Sequence, residues 1–365
     1  MFTLCAIFFL LWALISLGGE KPRIDRSIAY LYGWLIVAFA LGVPGGAEPA
    51  NGIAVWAKFL AYSSGIFIIL ASLQRVPDGI ARLGSGFAVS GLFVLVTLYF
   101  MLFVQIGQPN FDPVRQLLED NLPFLTLFIL YYLQHRGCKP WNPLVLLCLA
   151  ATIGYVVLAQ GRAALLGLVV GLMCYGGLVL KWRARSLAGA AIIMSALAGL
   201  YAGEYFKGQW TRHAILKSVD DLTSQRSVLW RQAIASPPDN LLIGVGMGNA
   251  HRNKVIMRME IGPLKRVKEA KHLHNFLLDA WYETGIIGLM SLLAWLGLML
   301  RRGVRAWRSA EGFAQQQAGL FLAGSMAILT SALFSFSYRS KPFAIYLFIF
   351  LAALAFLDQS RRTLP

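Results

Sequence analysis

Apolar stretches long enough to cross a bilayer as helices recur from one end of this 365-residue chain to the other. A helix rises 1.5 Å per residue, so about twenty apolar residues cover a hydrocarbon core of roughly 30 Å. The stretches fall at 2–17, 29–43, 53–73, 87–106, 118–133, 143–158, 163–180, 187–205, 275–300, 318–336 and 342–356. With 58% hydrophobic and 14% charged residues, no water-soluble globule of ordinary proportions fits. The expected fold is an all-α integral membrane protein of about eleven transmembrane helices, or twelve, with one long, partly helical outer loop. It divides into helices one to eight (1–205), the loop (206–271) and helices nine to eleven (272–365). Residues 1–17 lack a basic start and a small-residue cleavage site, so they read as a retained helix rather than a signal peptide.

Alternate connections test this list through the positive-inside rule. Connections 18–26, 73–84, 135–143, 181–186, 301–313 and the tail from Asp358 together hold 16 Lys or Arg. The short connections between them hold only Arg115, Arg162, Arg339 and Lys341. The first group is therefore expected in the cytoplasm, with the N-terminus outside and the C-terminus inside. A net charge of +16 suggests nucleic acid in a soluble protein, but here the basic residues sit mostly at helix ends and serve orientation. No nucleic-acid partner is expected. Cys5, Cys138, Cys148 and Cys174 lack metal-ligand spacing and read as small hydrophobes.

The connection 206–271 breaks the charge pattern, with 12 Lys or Arg against 5 Asp or Glu on the outer side. Loops of this length escape the orientation rule, so the excess is either a headgroup-facing surface or an anion site. Arg162 and Arg339 occupy tight outer turns beside this loop; each is an interfacial anchor or an anion ligand. Arginine's planar fork suits a diphosphate better than lysine does. Within the loop, Arg212 and Arg226 flank a stretch where helical periodicity resumes, with Arg231 on it. Ser224 is placed to cap that helix, and its positive end beside Arg226 favours an anion.

Gly244, Gly246 and Gly248 resemble a nucleotide loop superficially. They lack the preceding strand, the sixth-position glycine and the P-loop lysine, so they read as a tight backbone turn. Four of the five histidines belong to this loop or follow directly on it: His213, His251, His272 and His274. His274 falls where a helix enters the membrane from outside, within reach of both lipid-borne and aqueous groups. Nearby arginines favour its neutral form, ready to take a proton. His272 and His274 are not expected to share a helix face, and no metal site is expected. Asp279 and Glu283, on the same helix, read first as packing or hydrogen-bonding groups and second as catalytic ones.

Taken together, the Arg226-x-x-x-Trp230 segment, the Gly244-x-Gly246-x-Gly248 turn and the His274-Asn275 pair ahead of Glu283-x-Gly285-x-x-Gly288-Leu289 resemble the O-antigen ligase and polymerase superfamily. The resemblance covers residues 162–339. It implies a metal-independent, cofactor-free inverting glycosyltransferase of the bacterial inner membrane, with its site facing the periplasm. The implied donor is an undecaprenyl-diphosphate-linked glycan and the implied acceptor lipid A-core. By the family pattern His274 is the general base, Arg162, Arg212, Arg226 and Arg339 hold the diphosphate or acceptor phosphate, and His272 and Arg231 are secondary. Polymerisation of the same repeats and transfer of glycan to protein remain open within the superfamily. A transporter, of a different class, would place arginines near the midplane and use paired broken helices.

Overall fold

The computed structural model describes residues 24–104, 121–139, 142–158, 162–181, 226–252, 258–261, 266–269, 272–335, 338 and 341–363. Its helices are α1 (Arg26–Ala40), α2 (Pro49–Ser63), α3 (Gly65–Arg75), α4 (Gly79–Val104), α5 (Leu122–His135), α6 (Pro143–Leu158), α7 (Arg162–Leu178), α8 (Arg226–Ala235), α9 (Phe276–Ser309), α10 (Gly312–Ala332) and α11 (Lys341–Thr363). Nine of the eleven expected apolar stretches fall wholly or largely on described residues, and helix covers most of the described part of each; 2–17 and 187–205 lie outside them. Pro49–Arg75, Gly79–Met101, Phe276–Ser309 and Ala344–Arg361 are long and apolar enough to cross a membrane.

Lipid as the outer solvent explains how these helices distribute their side chains. Along α1, Tyr30, Trp34, Val37 and Leu41 are exposed, while Ile28, Tyr32, Leu35 and Phe39 on the other face are buried. Helix α4 turns Val89, Leu92, Phe93, Val96 and Phe100 outward in the same way. Large apolar residues at helical spacing facing outward would be a liability in water, but they match a hydrocarbon surround.

The expected single helix at 53–73 is instead two helices, parted at Ser64. Ser63 and Ser64 return their hydroxyls to the Phe59 and Ala61 carbonyls at 2.7 and 3.1 Å, and Gly65 follows without a side chain to hold the turn. Such back-bonding competes with the helical ladder. A second departure lies in the long connection, where Arg258–Ile261 (β1) and Arg266–Glu269 (β2) pair as an antiparallel hairpin. The sequence between the two strands contains Gly262-Pro263, a turn signal.

The chain clusters into two units. One comprises 65–194, 299–331 and 345–365. Its core is an aromatic stack in which Phe87, Phe124, Phe128 and Phe321 surround Phe350 at centroid distances of 5.0, 5.3, 5.3 and 5.6 Å. Polar ties add specificity: Tyr175 donates to Gln134 at 2.7 Å, and Gln317 to the Tyr131 hydroxyl at 3.0 Å. A buried Arg302–Asp358 ion pair at 3.4 Å joins α9 to α11. The other unit comprises 1–64, 195–298 and 332–344. It holds α1, α2, α8, the hairpin and the first part of α9, and it carries the site.

Candidate functional site

The centre of the second unit is a break in α9. Gly285 adopts φ 67°, ψ −169°, a conformation essentially restricted to glycine, and interrupts the helical ladder. A broken helix exposes carbonyls on one side of the break and N–H groups on the other. The segment 240–249 satisfies both. Val245 and Gly246 donate their N–H groups to the Tyr282 and Glu283 carbonyls at 3.1 and 3.0 Å. Ile286 and Ile287 donate to the Leu241 and Leu242 carbonyls at 2.9 and 3.1 Å.

The tight turn expected at the glycines is real, with Gly244, Gly246 and Gly248 all in the left-handed region. Its far side is fastened as well: Asn249 Oδ1 accepts the Glu48 N–H at 3.0 Å, and Asn51 donates to the Gly248 carbonyl at 3.1 Å. Beside it, α8 buries Leu229 and Ala233 with Ala250, Leu273 and Tyr282 in one apolar cluster. This seats the first residues of α8 next to the start of α9.

At that start Asn275 caps the helix, its side-chain oxygen accepting the Leu277 and Leu278 N–H groups at 3.0 Å each. His274, just outside the helix and half-buried, has φ 54°. Its Nδ1 lies 3.2 Å from the Ser335 carbonyl oxygen. A carbonyl only accepts, so Nδ1 carries the proton and the basic lone pair is on Nε2. His272 lies against it with ring centroids 4.1 Å apart, and the His272 Nδ1 accepts the His274 N–H at 3.3 Å. The two histidines do meet, because neither is helical and the left-handed residue turns the chain back. Among the described residues no group of three or more His, Cys, Asp or Glu forms a metal cluster.

Ser335 belongs to a segment on which other motif residues converge. Arg226, the first residue of α8, donates to the Phe334 carbonyl. Trp230 packs its ring 5.9 Å from that of Phe334. Tyr338 is buried edge-on to Phe39 at 5.2 Å and donates its hydroxyl to Glu283 at 2.7 Å. Phe334, Ser335 and Tyr338 thus collect a guanidinium, an imidazole and a carboxylate from two separate sequence motifs.

Asp279 and Glu283 are fully buried and hydrogen-bonded, as the packing reading of them expects. Of the other candidates, Arg231 is exposed on α8 and donates to the Ser227 carbonyl at 3.4 Å. Arg162 opens α7 in the first unit, and the next residue, Ala163, accepts a hydrogen bond from Ser331 at 3.2 Å. Arg212, Arg339, His213 and Ser224 lie outside the described residues. The sequence reading missed Phe334 and Ser335, whose contribution is a backbone carbonyl that no residue type announces. It also missed Tyr338, which stands beside Arg339 in a turn read only for its charge.

A half-buried imidazole with a fixed tautomer, next to a guanidinium at a helix N-terminus, can accept a proton while an anion is held nearby. Among curated proteins none matches the chain. Residues 144–293 match the sequence model of the O-antigen ligase family, a span that runs from α6 to beyond the Gly285 break and includes Arg226, His272 and His274. Over that stretch, about two fifths of its length, the chain is similar to the O-antigen ligase family, and its described helices include four long and apolar enough to cross a membrane.

Proposed function

We propose that the chain moves a glycan from an undecaprenyl-diphosphate donor to lipid A-core at the periplasmic face of the inner membrane, with inversion and without a metal. The observation that carries this reading is the His274 Nδ1 contact with the Ser335 carbonyl at 3.2 Å. It orients the ring and stabilises the imidazolium that forms when Nε2 takes a proton. In the reaction the acceptor hydroxyl oxygen bonds to the donor sugar C1, and its proton passes to His274 Nε2. The bond from C1 to the diphosphate oxygen breaks, and undecaprenyl diphosphate leaves with that electron pair. Diphosphate is already a good leaving group, so the protein has only to spread its charge and remove one proton. Arg226, Arg162, Arg212 and Arg339 take the charge in place of a metal. His272 and Arg231 act beside them on the acceptor. The polyprenyl chain stays among membrane lipids against the apolar helices, which lets the donor approach laterally within the bilayer. In this arrangement the long loop 206–271 is periplasmic, and the C-terminal end of the chain is cytoplasmic.

Polymerisation of the donor and transfer to protein use the same donor chemistry, and the acceptor separates the three. A basic loop favours the phosphorylated lipid A-core. A transporter would use a helix break such as that at Gly285 to bind its cargo. Here 240–249 already takes up backbone groups on both sides of the break, which supports an enzyme instead. Purified protein given lipid-linked glycan and either lipid A-core or more donor is the test. His274→Ala is expected to lower transfer by about 10²- to 10⁴-fold while the protein remains folded. Full activity of that variant would remove the base.

A further inference from the structure

The imidazole of His274 is carried by a residue in neither helix nor strand, at φ 54°, a region uncommon for residues other than glycine. Where the ring points therefore depends on how the preceding peptides are held. Leu273 is held at both of its polar groups. Its N–H donates to Asp279 Oδ1 at 2.8 Å, and its carbonyl accepts from the Trp230 indole Nε1 at 2.8 Å. Its side chain is fully buried in the cluster with Leu229, Ala233, Ala250 and Tyr282. The carbonyl of Leu273 lies in the same peptide plane as the His274 nitrogen, so the indole fixes the plane from which the imidazole departs.

Two observations separate this from ordinary helix capping. Asn275 already supplies the cap of α9 with its own side chain, so Asp279 is not needed for that purpose. Asp279 reaches out of the helix to a residue before it, and it does so while fully buried. A carboxylate in a membrane-entering helix is costly, and an apolar residue would pack there without that cost. Trp230 approaches the same residue from α8, the helix headed by Arg226. The base and the cationic helix end are thereby mechanically joined.

We propose that Asp279 and Trp230 clamp Leu273 between them and so set the direction of the His274 ring, which makes both of them positioning residues for glycan transfer. This rests on His274 being the base. A ring displaced by about 1 Å loses on the order of 100-fold in rate without losing donor affinity.

The test uses the full chain in detergent, with undecaprenyl-diphosphate-linked glycan as donor and lipid A-core or a second donor as acceptor. Asp279→Leu and Trp230→Phe are expected to lower kcat by about 10- to 100-fold with donor KM held within about twofold. The double variant is expected to be no slower than the slower single one, because both act on one residue. Asp279→Asn, whose amide oxygen still accepts the Leu273 N–H, is expected within about threefold of wild type. Hydrogen exchange at the Leu273 amide should quicken in Asp279→Leu and not in Asp279→Asn. Wild-type kcat in Asp279→Leu, an asparagine variant as slow as the leucine one, or a loss confined to KM overturns the clamp. Should Asp279→Leu fail to fold, Trp230→Phe decides, since it keeps an aromatic ring beside Phe334 while removing the indole N–H. His274→Ala in the same series separates the two readings. If it is active, base and clamp fall together; if it is inactive while the clamp variants match wild type, the clamp alone falls.

Discussion

Replacing Gly285 by alanine would test whether the break in α9 is a designed joint rather than a local irregularity. The backbone there, at φ 67°, ψ −169°, is strained for any side chain, at a cost of about 1–3 kcal/mol. A Cβ would also meet the Leu242–Ile243 peptide, which is backbone and cannot swing aside. Relieving that collision pushes 240–249 away from α9 and endangers the four hydrogen bonds across the break. At about 0.5–1.5 kcal/mol each, losing two of them adds about 1–3 kcal/mol. The expected total is about 2–6 kcal/mol, which lowers the thermal midpoint by on the order of 10 °C. Gly297→Ala is the matched control, because Gly297 lies in regular helix with nothing within 4 Å of its would-be Cβ. That change should be neutral or stabilising, by up to about 1 kcal/mol. The assay is thermal unfolding of the detergent-purified variants, followed by tryptophan fluorescence. If Gly285→Ala melts together with Gly297→Ala, the joint has no structural weight and the reasoning fails.

Arg226→Ala should lower kcat/KM for the lipid-linked donor by roughly 10- to 100-fold, and lysine at that position should not restore it, since a point charge lacks the planar fork; steady-state kinetics with purified donor measures both. Tyr338→Phe keeps the ring against Phe39 and Phe59 but takes one donor from the buried Glu283 carboxylate, so stability should fall by about 1–3 kcal/mol in a melting experiment. Under the proposed mechanism, in which arginines rather than a metal take the leaving-group charge, glycan transfer should continue undiminished in excess EDTA. A chelator-sensitive rate restored by a divalent cation would refute that division of labour.

Much of the helical scaffold is legible in the sequence because lipid demands apolar side chains wherever a helix meets it. The stretch 143–158 coincides with α6 for this reason. Apolarity reports the surrounding solvent, however, and says nothing about helix continuity. The stretches 53–73 and 275–300 looked uninterrupted, yet serine back-bonding divides the first and Gly285 breaks the second. The site follows the same logic. Arg226, Trp230, His274 and Glu283 could be picked out by residue type and spacing. Their common seat on Phe334, Ser335 and Tyr338 could not, since two of its contributions are the carbonyls of Phe334 and Ser335. A carbonyl belongs to every residue, and only the folded chain shows which one is used. The approach of His272 to His274 was hidden because it depends on one left-handed residue outside any periodic element.

The carbonyl that holds the His274 ring comes from a residue sixty-one positions later in the chain. While the protein is being made, the histidine is synthesised before that support. A nascent chain halted anywhere short of Ser335 carries the imidazole without the group that fixes its tautomer. The direction and tautomer of the His274 ring are therefore set only once the chain as far as Ser335 has been made and folded.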